Sequence, residues 1–135
     1  MKVLVVDDEL VSRKKMEKIM TAFGQCVAVE SGADALKAVE EAIGKGEPFG
    51  LITLDVSMPG MDGTEVLFEI RMIEQQKNIP MENKAKVIMV TSQSDKDLVI
   101  TCMQAGCDGY VVKPFDSAIM AEKIRQIGII VPESA

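Results

Sequence analysis

Lys2-Val3-Leu4-Val5-Val6-Asp7-Asp8-Glu9 is the stretch on which the fold turns. Its aliphatic, largely β-branched run shows no polar alternation. That is the pattern of a strand buried on both faces, as in a parallel sheet covered by helices on each side. Two aspartates follow at once, placing charge where the buried strand emerges. Downstream, Met16, Ile19, Met20 and Phe23 recur at helical spacing, and Gly24 is expected to close that helix as its C′ residue. Cys26–Val29 reads as a second strand. Ser31-Gly32-Ala33-Asp34 has the form of a capping box for a helix with an apolar stripe of Leu36, Val39 and Ile43, ended by Gly44, Gly46 and Pro48.

The alternation continues. Phe49–Leu54 reads as the third strand, and Asp62, with Glu65 three residues on, caps a helix striped by Val66, Ile70 and Ile73. The polar stretch Gln75–Lys84, containing Pro80, reads as a long surface loop. Lys86–Val90 is the fourth strand, followed by a helix carrying Leu98, Val99, Cys102 and Met103 that Gly106 terminates. Gly109–Val112 is the fifth strand, and a last helix starts near Asp116 and carries Met120, Ile124 and Ile127. Ile129–Val131 takes no assignment. Five strands alternating with five helices predict an α/β fold, an open parallel sheet with helices on both faces. In such doubly wound sheets, ligands sit beyond the carboxyl ends of the strands.

The residues at those ends are Asp7, Asp8 and Glu9, then Asp55, then Thr91 and Ser92, then Lys113 and Pro114. A parallel sheet gathers three aspartates, two hydroxyls and a lysine on one edge. Two carboxylates 4 Å apart repel by about 4 kcal/mol at an effective dielectric of 20, so such a cluster holds a proton or binds a cation. Oxygen ligands alone suit a hard ion such as Mg²⁺, with Mn²⁺ as an alternative occupant. A metal and a lysine flanking one carboxylate form a site for a phosphoryl group. Asp55 stands alone after its strand and is the natural nucleophile, whereas the Asp7–Asp8 pair suits metal holding. Thr91 offers a further hydrogen-bond donor.

Composition narrows the chemistry. The 135 residues are 47% hydrophobic and 27% charged, which suits one globular domain. A net charge of −6 argues against direct nucleic-acid binding. The sequence has no stretch suited to spanning a membrane and no secretory signal, so a cytoplasmic location is expected. The absence of histidine removes Ser-His-Asp and Cys-His catalysis. Cys26, Cys102 and Cys107 lack the paired spacing of a zinc or redox site. Arg13-Lys14-Lys15 reads as a solvated helix face, with attraction of an acidic partner as its functional alternative.

With these residues in place, the chain resembles the receiver domain of two-component response regulators, in particular the single-domain chemotaxis type. Val3–Glu9 resembles the opening strand and acidic pair. Leu54-Asp55-Val56-Ser57-Met58-Pro59-Gly60-Met61-Asp62-Gly63 resembles the phosphorylation-site strand and loop. Val90-Thr91-Ser92 and Val112-Lys113-Pro114-Phe115 match the later signatures. The resemblance implies a flavodoxin-like (βα)5 three-layer sandwich with strand order 2-1-3-4-5, a receiver domain over 1–128 and a tail over 129–135. It also implies that Asp55 accepts a phosphoryl group from a histidine kinase or phosphotransfer protein. Asp8, Asp55 and the Ser57 carbonyl then bind Mg²⁺ directly, with Asp7 acting mainly through water. By the same resemblance Lys113 pairs with Asp55 or the phosphoryl oxygens, Thr91 bonds the phosphoryl group, and Tyr110 turns inward behind it. Lys113–Pro114 is implied to be a cis peptide. The fourth helix, fifth strand and fifth helix would present the state to a target protein.

Two residues have readings of their own. Tyr110, the only tyrosine, is either this rotameric switch or a core residue with a satisfied hydroxyl. Ser57 and Gln93 stand two residues past Asp55 and Thr91, where family members tune the lifetime of the acyl phosphate. The Gln93 amide is expected to orient a hydrolytic water.

The expected protein is a regulatory switch, not an enzyme, acting catalytically only in its own phosphorylation and dephosphorylation. Three alternatives compete. An Asp-nucleophile phosphatase wants a second acid two residues after the nucleophile, where this chain has Ser57. A flavin carrier needs a phosphate-cradling first loop, which Asp7-Asp8-Glu9 would repel. A pseudo-receiver that binds partners without phosphorylation would not need the full set of site residues found here.

Overall fold

The computed structural model describes residues 1–92 and 96–131. Along the chain run β1 (Lys2–Val6), α1 (Leu10–Met20), β2 (Gln25–Val29), α2 (Gly32–Gly44), β3 (Leu51–Asp55), α3 (Gly63–Gln76), a 3-10 turn at Met81–Asn83, β4 (Lys86–Thr91), α4 (Lys96–Gln104), β5 (Gly109–Val112) and α5 (Ser117–Gln126). The five strands form one parallel sheet in the order β2-β1-β3-β4-β5. The parallel, doubly wound sheet is what the alternation predicts, and its flavodoxin-like strand order is the one that the resemblance implies.

Strand side chains alternate between faces, and each face has its own core. Leu4, Val6, Ile52, Leu54, Val87 and Met89 pack with Val39 of α2, Val66, Leu67 and Ile70 of α3, and Cys102 of α4. Val3, Val5, Leu51, Ile88, Val90 and Val111 pack with Met16 and Met20 of α1 and Met120 and Ile124 of α5. Cys102 and Cys107 are buried, and Cys26 is half-buried.

Helix ends follow local chemistry. Ser31, Asp62 and Asp116 each cap a helix, accepting from the backbone N–H of Asp34, Glu65 and Ile119 respectively. Gly106, in the left-handed region at φ +99°, ends α4, with Cys107 N–H bonding back to Cys102 O at 3.1 Å.

Four expectations change. α1 stops at Met20, and Gly24 is not its C′ residue; a Cβ there would collide with the Met1 carbonyl, so close backbone approach explains the glycine. α3 continues to Gln76, and the presumed loop contains the 3-10 turn. β3 begins at Leu51 because Phe49 is instead a buried packing residue before the sheet. Ile129 and Val131, unassigned from sequence, pack against the α1/α5 face, while Ile130 is exposed.

The far end of the sheet has its own fastening. Arg71 donates to Glu74, to the carbonyls of Ala85 and Gly106, and to Asp108. Glu74 in turn accepts from Ala85 N–H, and Asp108 from Val87 N–H, each at 2.8 Å. This network ties α3 to the amino ends of β4 and β5.

Candidate functional site

At the opposite edge, Asp7 is buried just past β1 and held at several points. Its N–H donates to Val29 O at 3.1 Å, its Oδ1 accepts from Glu9 N–H at 2.9 Å, and its carbonyl accepts from Arg13 Nη1 at 3.0 Å. Asp8 is exposed.

Asp55 and Thr91 are the last residues of β3 and β4, not the first after them. Parallel pairing extends one residue further than expected, with Asp55 opposite Val90 and Thr91 opposite Val112. Both are buried. Asp55 Oδ1 accepts from Ser57 N–H at 3.3 Å, so the turn after the strand braces its own acid. Lys113 follows β5, its N–H bonding Thr91 O at 2.7 Å. Its Nζ lies 3.5 Å from Asp7 Oδ2 and 3.8 Å from Asp55 Oδ2. The Lys113–Pro114 peptide is cis.

One carboxylate oxygen from each of Asp7, Asp8 and Asp55 lies within 4.8 Å of the other two. Burial, and then the neighbouring Asp7 charge, push the Asp55 carboxyl up from 3.8 to about 7, against the pull of Lys113 and the Ser57 N–H. One ammonium does not neutralise three acids, and the unmet demand is for positive charge. Three hard oxygen donors with no sulfur or imidazole fit a divalent cation of the magnesium type.

Not every sequence candidate joins this cluster through its side chain. Ser57 is exposed in the turn, where its N–H faces Asp55. Tyr110, opposite Met89 on β5, is half-buried against the α2/α3/α4 core, with Lys123 Nζ 5.2 Å from its ring centroid. Gln93 lies outside the described residues. The basic triplet divides: Lys14 and Lys15 are exposed, Lys15 Nζ resting 4.9 Å from the Phe115 ring centroid, whereas Arg13 turns inward to Asp7.

Two contributors escape a reading by motif chemistry. A Cβ on Gly63, the first residue of α3, would run into the Asp55 carbonyl, so this glycine lets the helix start against the end of β3. Its signal is a glycine directly after an N-cap, where helix propensity disfavours one. Arg13 carries no such signal beyond its distance from the acidic pair.

Comparison with known proteins agrees with this geometry. Residues 3–125 match the response regulator receiver domain family. The chain is 33% identical over 129 residues to the chemotaxis protein CheY of Pseudomonas aeruginosa, covering 94% of this chain and 95% of that one. It superimposes with a TM-score of 0.80 on a structure of the CheX-CheY-BeF3-Mg²⁺ complex from Borrelia burgdorferi, at 26% identity and covering 96% of this chain and 90% of that one. It also matches the receiver domain of the histidine kinase CKI1 from Arabidopsis thaliana complexed with Mg²⁺ and BeF3⁻, with a TM-score of 0.77, 29% identity and coverage of 93% and 88%. From its first buried strand to its last helix, the chain is a CheY-like member of the response regulator receiver domain family of two-component systems.

Proposed function

We propose that this protein is a phosphorylation-controlled switch in which Asp55 accepts a phosphoryl group from a histidine kinase or phosphotransfer protein. The observation that carries this reading is the placement of Asp55 Oδ2 3.8 Å from Lys113 Nζ inside a triad of carboxylates. An Asp55 oxygen attacks phosphorus, forming an O–P bond as the donor N–P bond breaks, and the donor imidazole keeps the electron pair. Asp8, Asp55 and the Ser57 carbonyl would hold Mg²⁺ or Mn²⁺, with Asp7 acting through water. That cation supplies positive charge to the carboxylates and the phosphoryl oxygens. Lys113 adds a fixed charge on the Asp7 and Asp55 side, and the Thr91 hydroxyl at the end of β4 bonds the phosphoryl group.

Thr91 and Tyr110 then carry the change to the surface of α4, β5 and α5. Ile100, Met103 and Ile119 are exposed there, as an apolar protein contact requires. Ser57 and Gln93 tune the phosphoryl lifetime. The switch is regulatory and acts in the cytoplasm, with residues 1–128 as the receiver and 129–135 as a tail. No helix among the described residues is long and apolar enough to cross a membrane.

The test is incubation with acetyl phosphate or phosphoramidate and Mg²⁺, read by intact mass. The wild-type chain should gain one phosphoryl group and Asp55→Asn none. A persistent adduct on Asp55→Asn would overturn the acceptor assignment.

A further inference from the structure

Arg13 stands on the first turn of α1, four residues past Glu9, whose carbonyl accepts its backbone N–H at 2.9 Å. Its side chain is only 16% exposed, unlike its neighbours Lys14 and Lys15. Nη1 donates to the Asp7 carbonyl at 3.0 Å, and Nη2 lies 4.0 Å from Glu30 Oε2 just past β2. The Asp7 carbonyl belongs to the peptide that leads into Asp8. That peptide is bounded by the Asp7 side chain, which accepts from Glu9 N–H, and by the Asp7 N–H, which bonds Val29 O. Asp8 is exposed, and no hydrogen bond to its carboxylate appears among the described residues. The positions that its carboxylate can reach are therefore set by the backbone that carries it.

We infer that Arg13 is a positioning residue: by gripping the Asp7 carbonyl it aims the Asp8 carboxylate at the cation site, so that it strengthens divalent-ion binding despite its own positive charge. This rests on the proposed magnesium site and extends it to a residue outside the acidic cluster. The two effects of Arg13 have opposite signs. As a cation it repels Mg²⁺, the more weakly for the nearby Glu30 carboxylate. As a clamp it holds a ligand-bearing turn in place, and groups that orient metal ligands are worth ten- to a hundredfold in affinity. Removing the side chain therefore discriminates between them by direction alone.

The experiment is calorimetric titration of the full chain with MgCl₂, with melting in EDTA recorded for every variant. Arg13→Met keeps the packed aliphatic stem and removes both charge and donor; it should bind magnesium about tenfold more weakly. Arg13→Lys, with a shorter donor, should fall between it and wild type. Lys14→Gln removes a charge from the same helix without touching Asp7 and should bind as tightly as wild type or slightly tighter. Magnesium binding by Arg13→Met equal to or tighter than wild type would overturn the inference. So would Arg13→Lys binding no better than Arg13→Met, or a loss of affinity matched by collapse of the metal-free fold in both variants. If the wild-type chain took up no magnesium, the parent reading itself would fail, an outcome distinct from all of these.

Discussion

Replacing Asp55 by Asn should make the metal-free protein more stable at alkaline pH, although it removes the proposed reactive group. Burial and the Asp7 charge raise the Asp55 carboxyl from 3.8 to about 7. Between about pH 4 and 7 the folded state therefore holds a proton that the unfolded chain has already released. The stability contributed by this proton is complete below about pH 4 and is lost as pH rises through 7. At about 1.4 kcal/mol per unit, the wild-type fold at pH 8 carries a penalty on the order of 4 kcal/mol. Asparagine keeps the shape without the charge but is itself buried, so recovery of roughly 2–3 kcal/mol is expected. For a chain of this size, that corresponds to melting about 6–10 °C higher. Thermal unfolding by circular dichroism in EDTA at pH 4.5 and pH 8 reads the effect directly. Asp55→Asn should exceed wild type by that margin at pH 8 and by under about 1 kcal/mol at pH 4.5. Added magnesium at pH 8 should raise wild type and leave the variant nearly unmoved. Equal melting of the two proteins at pH 8 in EDTA would refute the account of the acidic pocket as electrostatically strained.

Lys113→Met should lower stability at pH 8 in EDTA by about 2 kcal/mol, because Asp7 and Asp55 lose the cation between them, and by less at pH 4.5; the same melts check it. Arg71→Met should cost roughly 3–5 kcal/mol in urea unfolding, since it leaves the buried Glu74 carboxylate without its guanidinium; a cost under 1 kcal/mol would show that the network is slack. Gly63→Ala should destabilise by about 1–3 kcal/mol through contact with the Asp55 carbonyl and slow acetyl-phosphate labelling as the acceptor strand shifts. Asp62→Ala should cost about 1 kcal/mol at pH 7 through loss of the α3 cap. Bonds from Thr64 and Glu65 hold the Asp62 carboxyl below its usual range, so its contribution fades as pH falls below 4, which paired melts at pH 7 and pH 3 measure.

The sheet and the acidic edge were legible because both are written locally. A continuous aliphatic run marks each buried strand, and in a parallel sheet the residue closing the run falls at one common edge. That places Asp7, Asp8, Asp55, Thr91 and Lys113 together without any long-range information. Strand ends were misjudged by one residue because a polar Asp55 or Thr91 looks like an exit, although the ladder still supplies it with a partner. Gly24 misled for a related reason: a glycine after a helical stripe reads as a left-handed cap, and its collision with Met1 is visible only in three dimensions. Arg71 was invisible. Its acceptors at Ala85, Gly106 and Asp108 are 14 to 37 residues away and leave no periodic trace. Arg13 was hidden by its neighbours, since a run of three cations reads as solvated while one of them turns inward.

Five co-directional strands separate the molecule into two rims. The Arg71 network fastens one rim, at the feet of β4 and β5, and the carboxylates occupy the other. When fully charged, the carboxylate rim works against folding, and the fastened rim offsets that cost from the far side of the sheet. A strained pole is thereby kept in register by an anchored one.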